Sequence, residues 1–443
     1  MGQRRLNILV VYVMNKYPMR ATLWDQLYCF QRYSNHNCFY LNLSVRRVGW
    51  YLKKIKFDLI IFGTLFLANR MVAEWFEPIL NKARSLKSLN AARIVFPQDE
   101  HAHTETLSQF IREFDIDCIF SVAPESEWPT IYEGTDVTKA KLFGVLTGYL
   151  DDSTIARIKL LGQGVNSRDI DLGYRTWRAA PSLGRHGLMR QQIADSFQEK
   201  APARGLITDI STRREDTLWG DAWYKFLLRC KYTMSVEGGA SVLDRDGTIQ
   251  QKTAAYLEGH SQATFAEVEA ACFPGLDGKL QYAALSPRHL EACATKTCQI
   301  LVAGKYNDVL VPGRHYIELD RDLGNIDQVL DTVKQDHLRH EITERAYREI
   351  VESGRYTYRS YVDFVLRNSL KSEHEPASVH TLWNGLVYYW MRLSDFVSWV
   401  QVALHLHSFS ARVKRKSRRV LAGVFSEEAV VSVLRRFRQS GEK

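Results

Sequence analysis

The chain has 443 residues, 45% of them hydrophobic and 25% charged, with a formal net charge of +9 and a pI near 9.1. That length exceeds one ordinary core and suits two domains plus an extra segment, and the composition excludes a disordered chain. The positive balance suits an anionic partner, such as nucleic acid, a lipid surface or a phosphorylated small molecule. Much of it lies at the far C-terminus, in "RVKRKSRR" (Arg412 to Arg419) and "LRRFR" (Leu434 to Arg438), which leaves the main body nearly balanced.

The N-terminus, "MGQRRLNILVVYVM", has a basic start and an apolar run but neither the long apolar core nor the small-residue cleavage site of a signal peptide. It predicts a first buried strand over Leu6 to Val13. No Ser or Thr follows the Met-Gly start where a myristoylation signal requires one. Apolar runs then alternate with helical patterns: "CFYLNL", "FDLIIFG", "ARIVFPQDE" and "DCIFSVAP" are separated by segments such as "MVAEWFEPILNKARSL" and "TETLSQFIREF". Apolar strands joined by crossover helices predict a parallel sheet covered on both faces, whose loops at the carboxyl edge carry function.

A second strand and helix series begins near "RDIDLGYRTW" and runs through "ARGLITDIS", "KYTMSVEGG", "CQILVAG" and "HYIEL" to the helical "IDQVLDTVKQDHLRHEITERAYREIVE". The expected fold is therefore α/β, with two tandem Rossmann-like domains, residues 1–165 and 166–370, facing a cleft. A stretch from Asp244 to Leu280 reads as an insert with two helices. "KSEHEPAS" (Lys371 to Ser378) reads as a linker opening a basic, amphipathic extension, residues 371–443. Within it Trp383, Leu386, Trp390, Leu393, Val397, Val400 and Leu404 recur at helical spacing, with Arg392, Asp395 and Gln401 off that stripe. The charges argue against a spanning helix. The stripe suits either an anionic membrane surface or packing on the body or a second chain. Seven cysteines without a CxxC pair or zinc spacing read as reduced thiols of a cytoplasmic protein.

Candidate chemistry gathers at predicted strand ends and helix starts. Glu237, Gly238 and Gly239 follow the strand "YTMSV": a carboxylate that accepts sugar hydroxyls, beside backbone that a ligand can approach. In "LSPRHLEACATKTCQIL", Ser286 and Pro287 predict a helix start, where amide donors and the dipole favour an anion. Arg288, His289 and Glu291 follow in its first turns, where an acidic residue is also common for purely structural reasons. "IVFPQDEHAH" ends a strand in Asp99, Glu100, His101 and His103, with Asp99 the first candidate for a general base. Arg213 and Arg214, at a loop before a helix, either face the nucleotide or form a surface charge run, the commoner case, and His315 reads as structural.

Together, "VEGGAS" and "RHLEACATKTCQIL" resemble the two halves of the acidic signature of GT-B fold nucleotide-sugar glycosyltransferases, and "GKYNDVLVPGRHYIELDRDLGNIDQVL" is similar to the family's continuation. The resemblance covers residues 168 to 370. It departs from the family in the insert, which separates glutamates that normally have seven residues between them. It implies that Glu291 binds the donor ribose and that Glu237, with the Gly238 and Gly239 amides, meets the donor sugar. Arg175, Arg185 or Arg190 would meet the diphosphate. It further implies sugar transfer from a UDP- or GDP-linked donor to a glycan or lipid-linked acceptor, with retention of configuration, in cell-surface polysaccharide synthesis. Guanidiniums stabilise a leaving diphosphate as its charge grows, so no metal or other cofactor is expected; "DRD", at Asp244 and Asp320, reads as a solvated turn. The expected place is cytoplasmic, peripheral on the inner membrane face, with no nucleic acid bound. The alternatives are a nucleotide-sugar epimerase, a non-catalytic sugar-nucleotide sensor, or a basic lipid- or nucleic-acid-binding protein.

Overall fold

A computed structural model describes residues 5–14, 19–164, 167–370 and 382–404. The first sheet contains β1 (Asn7–Tyr12), β2 (Asn37–Asn42), β3 (Leu59–Phe62), β4 (Ala92–Val95), β5 (Cys118–Ser121) and β6 (Lys141–Gly144). Its spatial order is β2-β1-β3-β4-β5-β6, and every neighbouring pair is parallel. All six residues of β1 are buried, which is why this strand reads as an unbroken apolar run. The half-exposed edge strand β6 has no such run, and the sequence pattern misses it.

The second sheet contains β7 (Ile170–Arg175), β8 (Thr208–Ser211), β9 (Cys230–Ser235), β12 (Cys298–Val302) and β13 (Ile317–Leu319). Its order is β13-β12-β9-β7-β8, again wholly parallel. A separate antiparallel pair joins β10 (Gly238–Ala240) to β11 (Tyr282–Ala284). The chain thus forms the two tandem Rossmann-like domains expected of a GT-B architecture. Strand order reverses between β1 and β3 in the first sheet and between β7 and β9 in the second. In doubly wound sheets the carboxyl ends at such points form the ligand crevice.

Two segments tie the lobes together. Helix Tyr358–Ser369 follows the second domain in sequence but packs on helix Ala21–Tyr33 of the first, where Tyr358, Tyr361, Val362 and Val365 join the N-terminal core. The insert forms its two expected helices, Thr248–Gly259 and Phe265–Cys272, and its ends also dock on the first domain. Asp244 N donates to His101 O (2.8 Å), His103 N donates to Asp244 O (2.7 Å), and Leu280 and Tyr282 enter the N-terminal core. Asp244 lies in a buried turn and caps the insert by accepting from Gly247, Ile249 and Gln250 amides, a correction to the solvated turn expected there.

Helix Leu382–Ala403 packs against edge strand β2. Among the described residues no helix is long and apolar enough to cross a membrane. The linker at Lys371 to Ser378 and both basic clusters, Arg412 to Arg419 and Leu434 to Arg438, lie outside the described residues. All seven cysteines are buried and unpaired.

Candidate active site

Nearly every candidate residue lies just beyond the carboxyl end of a strand, so sheet topology alone brings them to one crevice. Arg20 follows β1, Asp99 to His101 follow β4, Trp177 follows β7, Arg214 follows β8, Glu237 follows β9, Gly304 to Asp308 follow β12 and Arg321 follows β13. Helices Gly184–Lys200 and Pro287–Ala294 contribute Arg190 and Arg288.

Three guanidiniums converge there. Burial holds the Arg190 pKa below its ordinary value; Tyr174 and Asp99 oppose that shift, while Arg288 and Arg20 add to it. Arg20 is lowered by burial and by Arg288, and Glu291 lies close enough to oppose the shift. Arg20 and Arg214 each lie 5.1 Å from the Trp177 ring, so an N-terminal cation meets an aromatic of the other lobe. Arg288 donates from its guanidinium to Arg175 O (3.0 Å), which fixes that group at the end of β7.

Glu291 lies in the helix that Ser286 and Pro287 begin, as the sequence predicts. Its Oε2 accepts from Trp223 Nε1 at 2.7 Å, and burial raises its pKa against the opposing indole donor and Arg288. Glu237 is 2% exposed. Its Oε1 accepts from Tyr306 N (2.7 Å), and burial raises its pKa against the Tyr306 and Lys305 amides, Arg321 and Lys305. Gly304 is required beside it, since a Cβ there would stand 2.3 Å from Glu237 Oε2. His186 Nε2 meets Glu237 O at 3.1 Å and also feels Arg190. Glu291 therefore lies beside this basic cluster, at Arg20 and Arg288, whereas the Glu237 carboxylate lies beside Lys305 and Arg321 and only its backbone carbonyl meets His186.

Other residues singled out in the sequence go elsewhere. Arg175 does not join the cluster: its guanidinium pairs with Asp209 (2.6 Å) and lies 4.5 Å from the Phe226 ring. Arg185 is exposed and contacts Glu269 and Asp277 of the insert. His289 is fully buried, and its Nδ1 accepts from Ser286 N (3.0 Å) as part of the helix cap. Burial and Arg288 push its pKa down to about 3, so it is a neutral structural residue rather than a phosphate ligand. Gly239 serves strand pairing: at φ 148° a Cβ would stand 1.8 Å from Tyr282 O. Gly238 pairs with Ala284 in the same ladder. His315 is structural, as expected, meeting Val311 N and Glu349.

On the N-terminal side, Glu100 is wholly buried and turned inward, accepting from Ser121, Tyr132 and Val122 N (3.1 Å). It has no access to the crevice and is removed from the catalytic candidates. His101 packs on Tyr282, and its buried Nδ1 has no hydrogen-bond partner. Burial lowers its pKa to about 4, with Asp99 opposing and Arg70 and Arg190 contributing. So weak a base suits hydrogen bonding to a ligand better than proton removal at neutral pH. Asp99, exposed and near Arg190, keeps its place as the candidate base.

The sequence pattern does not reveal Arg20, Trp177, Trp223, Gly304 or Arg321. A usable signal existed for Gly304, the second residue after a buried strand, as Gly238 is the third after another. Arg321 sits inside the "DRD" at Asp320, whose sequence reads as a solvated turn.

No family model and no curated protein matches the chain. Among solved structures, HepE of Anabaena in complex with UDP is similar over 82% of this chain and 99% of its own, at 9% identity and a TM-score of 0.43. TarM is similar over 72% of this chain and 56% of its own, at 13% identity and a TM-score of 0.38. For a glycosyltransferase from Rickettsia africae the shares are 83% and 98%, at 8% identity and a TM-score of 0.40.

Proposed function

We propose that the chain is a glycosyltransferase that moves a sugar from a UDP- or GDP-linked donor to a glycan or lipid-linked acceptor in cell-surface polysaccharide synthesis, on the cytoplasmic side of the membrane. The observation that carries this reading is the convergence of Arg20, Arg190 and Arg288 beside the buried Glu291 at the topological switch point of the second sheet. In this reading Arg288, Arg190 and Arg20 hold the diphosphate and stabilise it as the glycosidic bond breaks. That positive charge is already fixed, so transfer proceeds without a divalent cation. Glu291, aimed by Trp223, accepts from the ribose hydroxyls, and Glu237 accepts from the donor sugar. Asp99 takes the acceptor proton, with His101 Nδ1 as a hydrogen-bonding partner at the same edge.

The test is calorimetric binding of a panel of UDP- and GDP-sugars, with turnover measured in the presence of a chelator. One donor should bind and raise the unfolding temperature. Glu291→Ala should weaken it by about a hundredfold, the loss of two hydrogen bonds to a charged acceptor, while Glu291→Gln retains part of the affinity. Failure of every nucleotide sugar to bind would reject the reading.

A further inference from the structure

Helix Leu382–Ala403 buries a mixed side, in which Asp395, Ser398 and Gln401 go inward with Val387, Met391, Trp399 and Val402. Asp395 accepts from Tyr12 and from Tyr28 (2.7 Å), Arg46 Nε donates to Ser398 Oγ (2.8 Å), and Trp399 donates to Tyr28. These bonds fix the rotation of the helix on the body, because turning it would strand a buried carboxylate. Its opposite side presents Trp383, Leu386, Tyr389, Trp390 and Leu393 to solvent, with Leu386, Tyr389 and Trp390 at 61%, 71% and 54% exposure. Most of the apolar stripe of the sequence thus points outward, Val397 and Val400 excepted, while the off-stripe Asp395 and Gln401 are buried.

The face continues onto the body. Trp50, 66% exposed, has its ring 6.0 Å from that of Trp383, and Lys54 stands 5.0 and 5.3 Å from the two rings. Arg47 and Lys53, also exposed, flank Trp50 in sequence. Contiguous aromatic and aliphatic side chains fringed by cations differ from the single apolar residues scattered over ordinary surfaces. The sequence beyond the helix, His405 to Lys443, has ten basic and three acidic residues, or +7 of the net +9. That charge decides the occupant: a second copy of the chain would bring like charges together, whereas an anionic bilayer offers both a counter-charge and an apolar boundary.

We propose that this face seats on an anionic lipid surface, with Trp390, Leu386 and Leu393 entering the boundary between headgroups and acyl chains and the basic residues lying over the headgroups. The proposal deepens the membrane-side placement in the proposed function. It involves no donor-site residue, so the two readings fail separately. The experiment is sedimentation of the full chain with vesicles of phosphatidylcholine alone and of phosphatidylcholine with phosphatidylglycerol, with nucleotide-sugar binding measured on the same samples. Wild type should partition onto the mixed vesicles only. Leu386→Ser/Trp390→Ser/Leu393→Ser should lower that partition on the order of a hundredfold at unchanged unfolding temperature. Lys53→Glu/Lys54→Glu, a surface change that keeps the apolar face, should lower it by roughly tenfold. Unchanged partition in the triple variant would mean that the basic tail alone binds lipid and would overturn the proposal. So would a change from dimer to monomer with no change in vesicle binding, which would assign the face to a second copy.

Discussion

Two loops at the carboxyl ends of β4 and β12, one in each lobe, are both strained, and they are braced in opposite ways. On the N-terminal side Gln98 and Asp99 have φ of 44° and 45°; on the other, Tyr306, Asn307 and Asp308 have φ of 47°, 52° and 56°. Left-handed backbone of this kind costs a non-glycine residue on the order of 1 kcal/mol or more, so something must hold it. The first loop is held by a buried cation: Arg70, 1% exposed, donates to the carbonyls of Leu67 (3.0 Å), Pro97 (3.3 Å), Gln98 (2.8 Å) and Asp99 (2.7 Å). The second is held by a buried anion, Glu237, which accepts from the Tyr306 amide, and by Asn307 Oδ1, which accepts from Leu285 N at 2.6 Å. Carbonyls call for a donor and amides for an acceptor, so the polarity of each brace follows from which backbone groups the loop turns inward. Arg70 gives its hydrogen bonds wholly to backbone, whereas Glu237 retains lone pairs and lies beside Lys305 and Arg321, so the second brace keeps an acceptor that a ligand could meet.

Removing the braces should separate those roles, and the largest effect belongs to the cation. Arg70→Met leaves four carbonyls without their donor and should cost about 4 kcal/mol in urea unfolding. Glu237→Gln preserves volume and one acceptor oxygen, and should cost only about 1 kcal/mol while reducing donor-sugar affinity by more than its stability loss explains. Equal losses of stability in the two variants would break the contrast.

The next effect is in pH. His101, beside the first loop, has its pKa lowered to about 4 by burial, against about 6.5 in an unfolded chain. Between those values the unfolded state binds the proton and the folded state does not, so stability rises with pH across that window. The contribution is complete above about pH 6.5 and is lost as pH falls to about 4. It amounts to roughly 3 kcal/mol for this one imidazole. His101→Gln should flatten the urea midpoint between pH 4.5 and 6.5 by that share. His186, lowered to about 4, and His289, lowered to about 3, keep their part of the slope in both proteins.

Much of this arrangement was legible from residues that act locally. The buried strands β1, β3, β9 and β12 show as apolar runs, the start at Ser286 and Pro287 shows as a cap, and Glu291 shows near the start of that helix, with its role coming only from the family resemblance. What was illegible depends on partners far away in sequence or on backbone sign. Asp99 and Glu100 are adjacent, yet one faces the crevice and the other the core, a choice made by two positive φ angles that no side-chain pattern encodes. Gly239 looks like a ligand approach until β11, more than forty residues on, is seen to fill the space. Periodicity finds the stripe in helix Leu382–Ala403 but cannot say which side faces the protein, because Tyr12 and Tyr28, which orient it, lie more than 350 residues away.

The smallest predicted effect tests whether the second loop is held by its side-chain bond or by its backbone. Asn307→Gly removes the left-handed penalty at φ 52°, which for Asn, with its tolerance of that region, is worth under about 1 kcal/mol. It also removes Asn307 Oδ1 and leaves the partly buried Leu285 amide unpaired, at a cost of about 1–3 kcal/mol. Losing the bond outweighs relieving the backbone, so the variant should be destabilised by about 1 kcal/mol, with Asn307→Asp, which keeps the acceptor, close to wild type. Leu285 immediately precedes Ser286, the cap of the helix that carries Arg288 and Glu291, so the same loss should loosen donor binding by a few-fold. A stabilised Asn307→Gly protein with unchanged donor affinity would show that backbone strain governs this loop and that the Asn307 bond does not tie it to the donor helix.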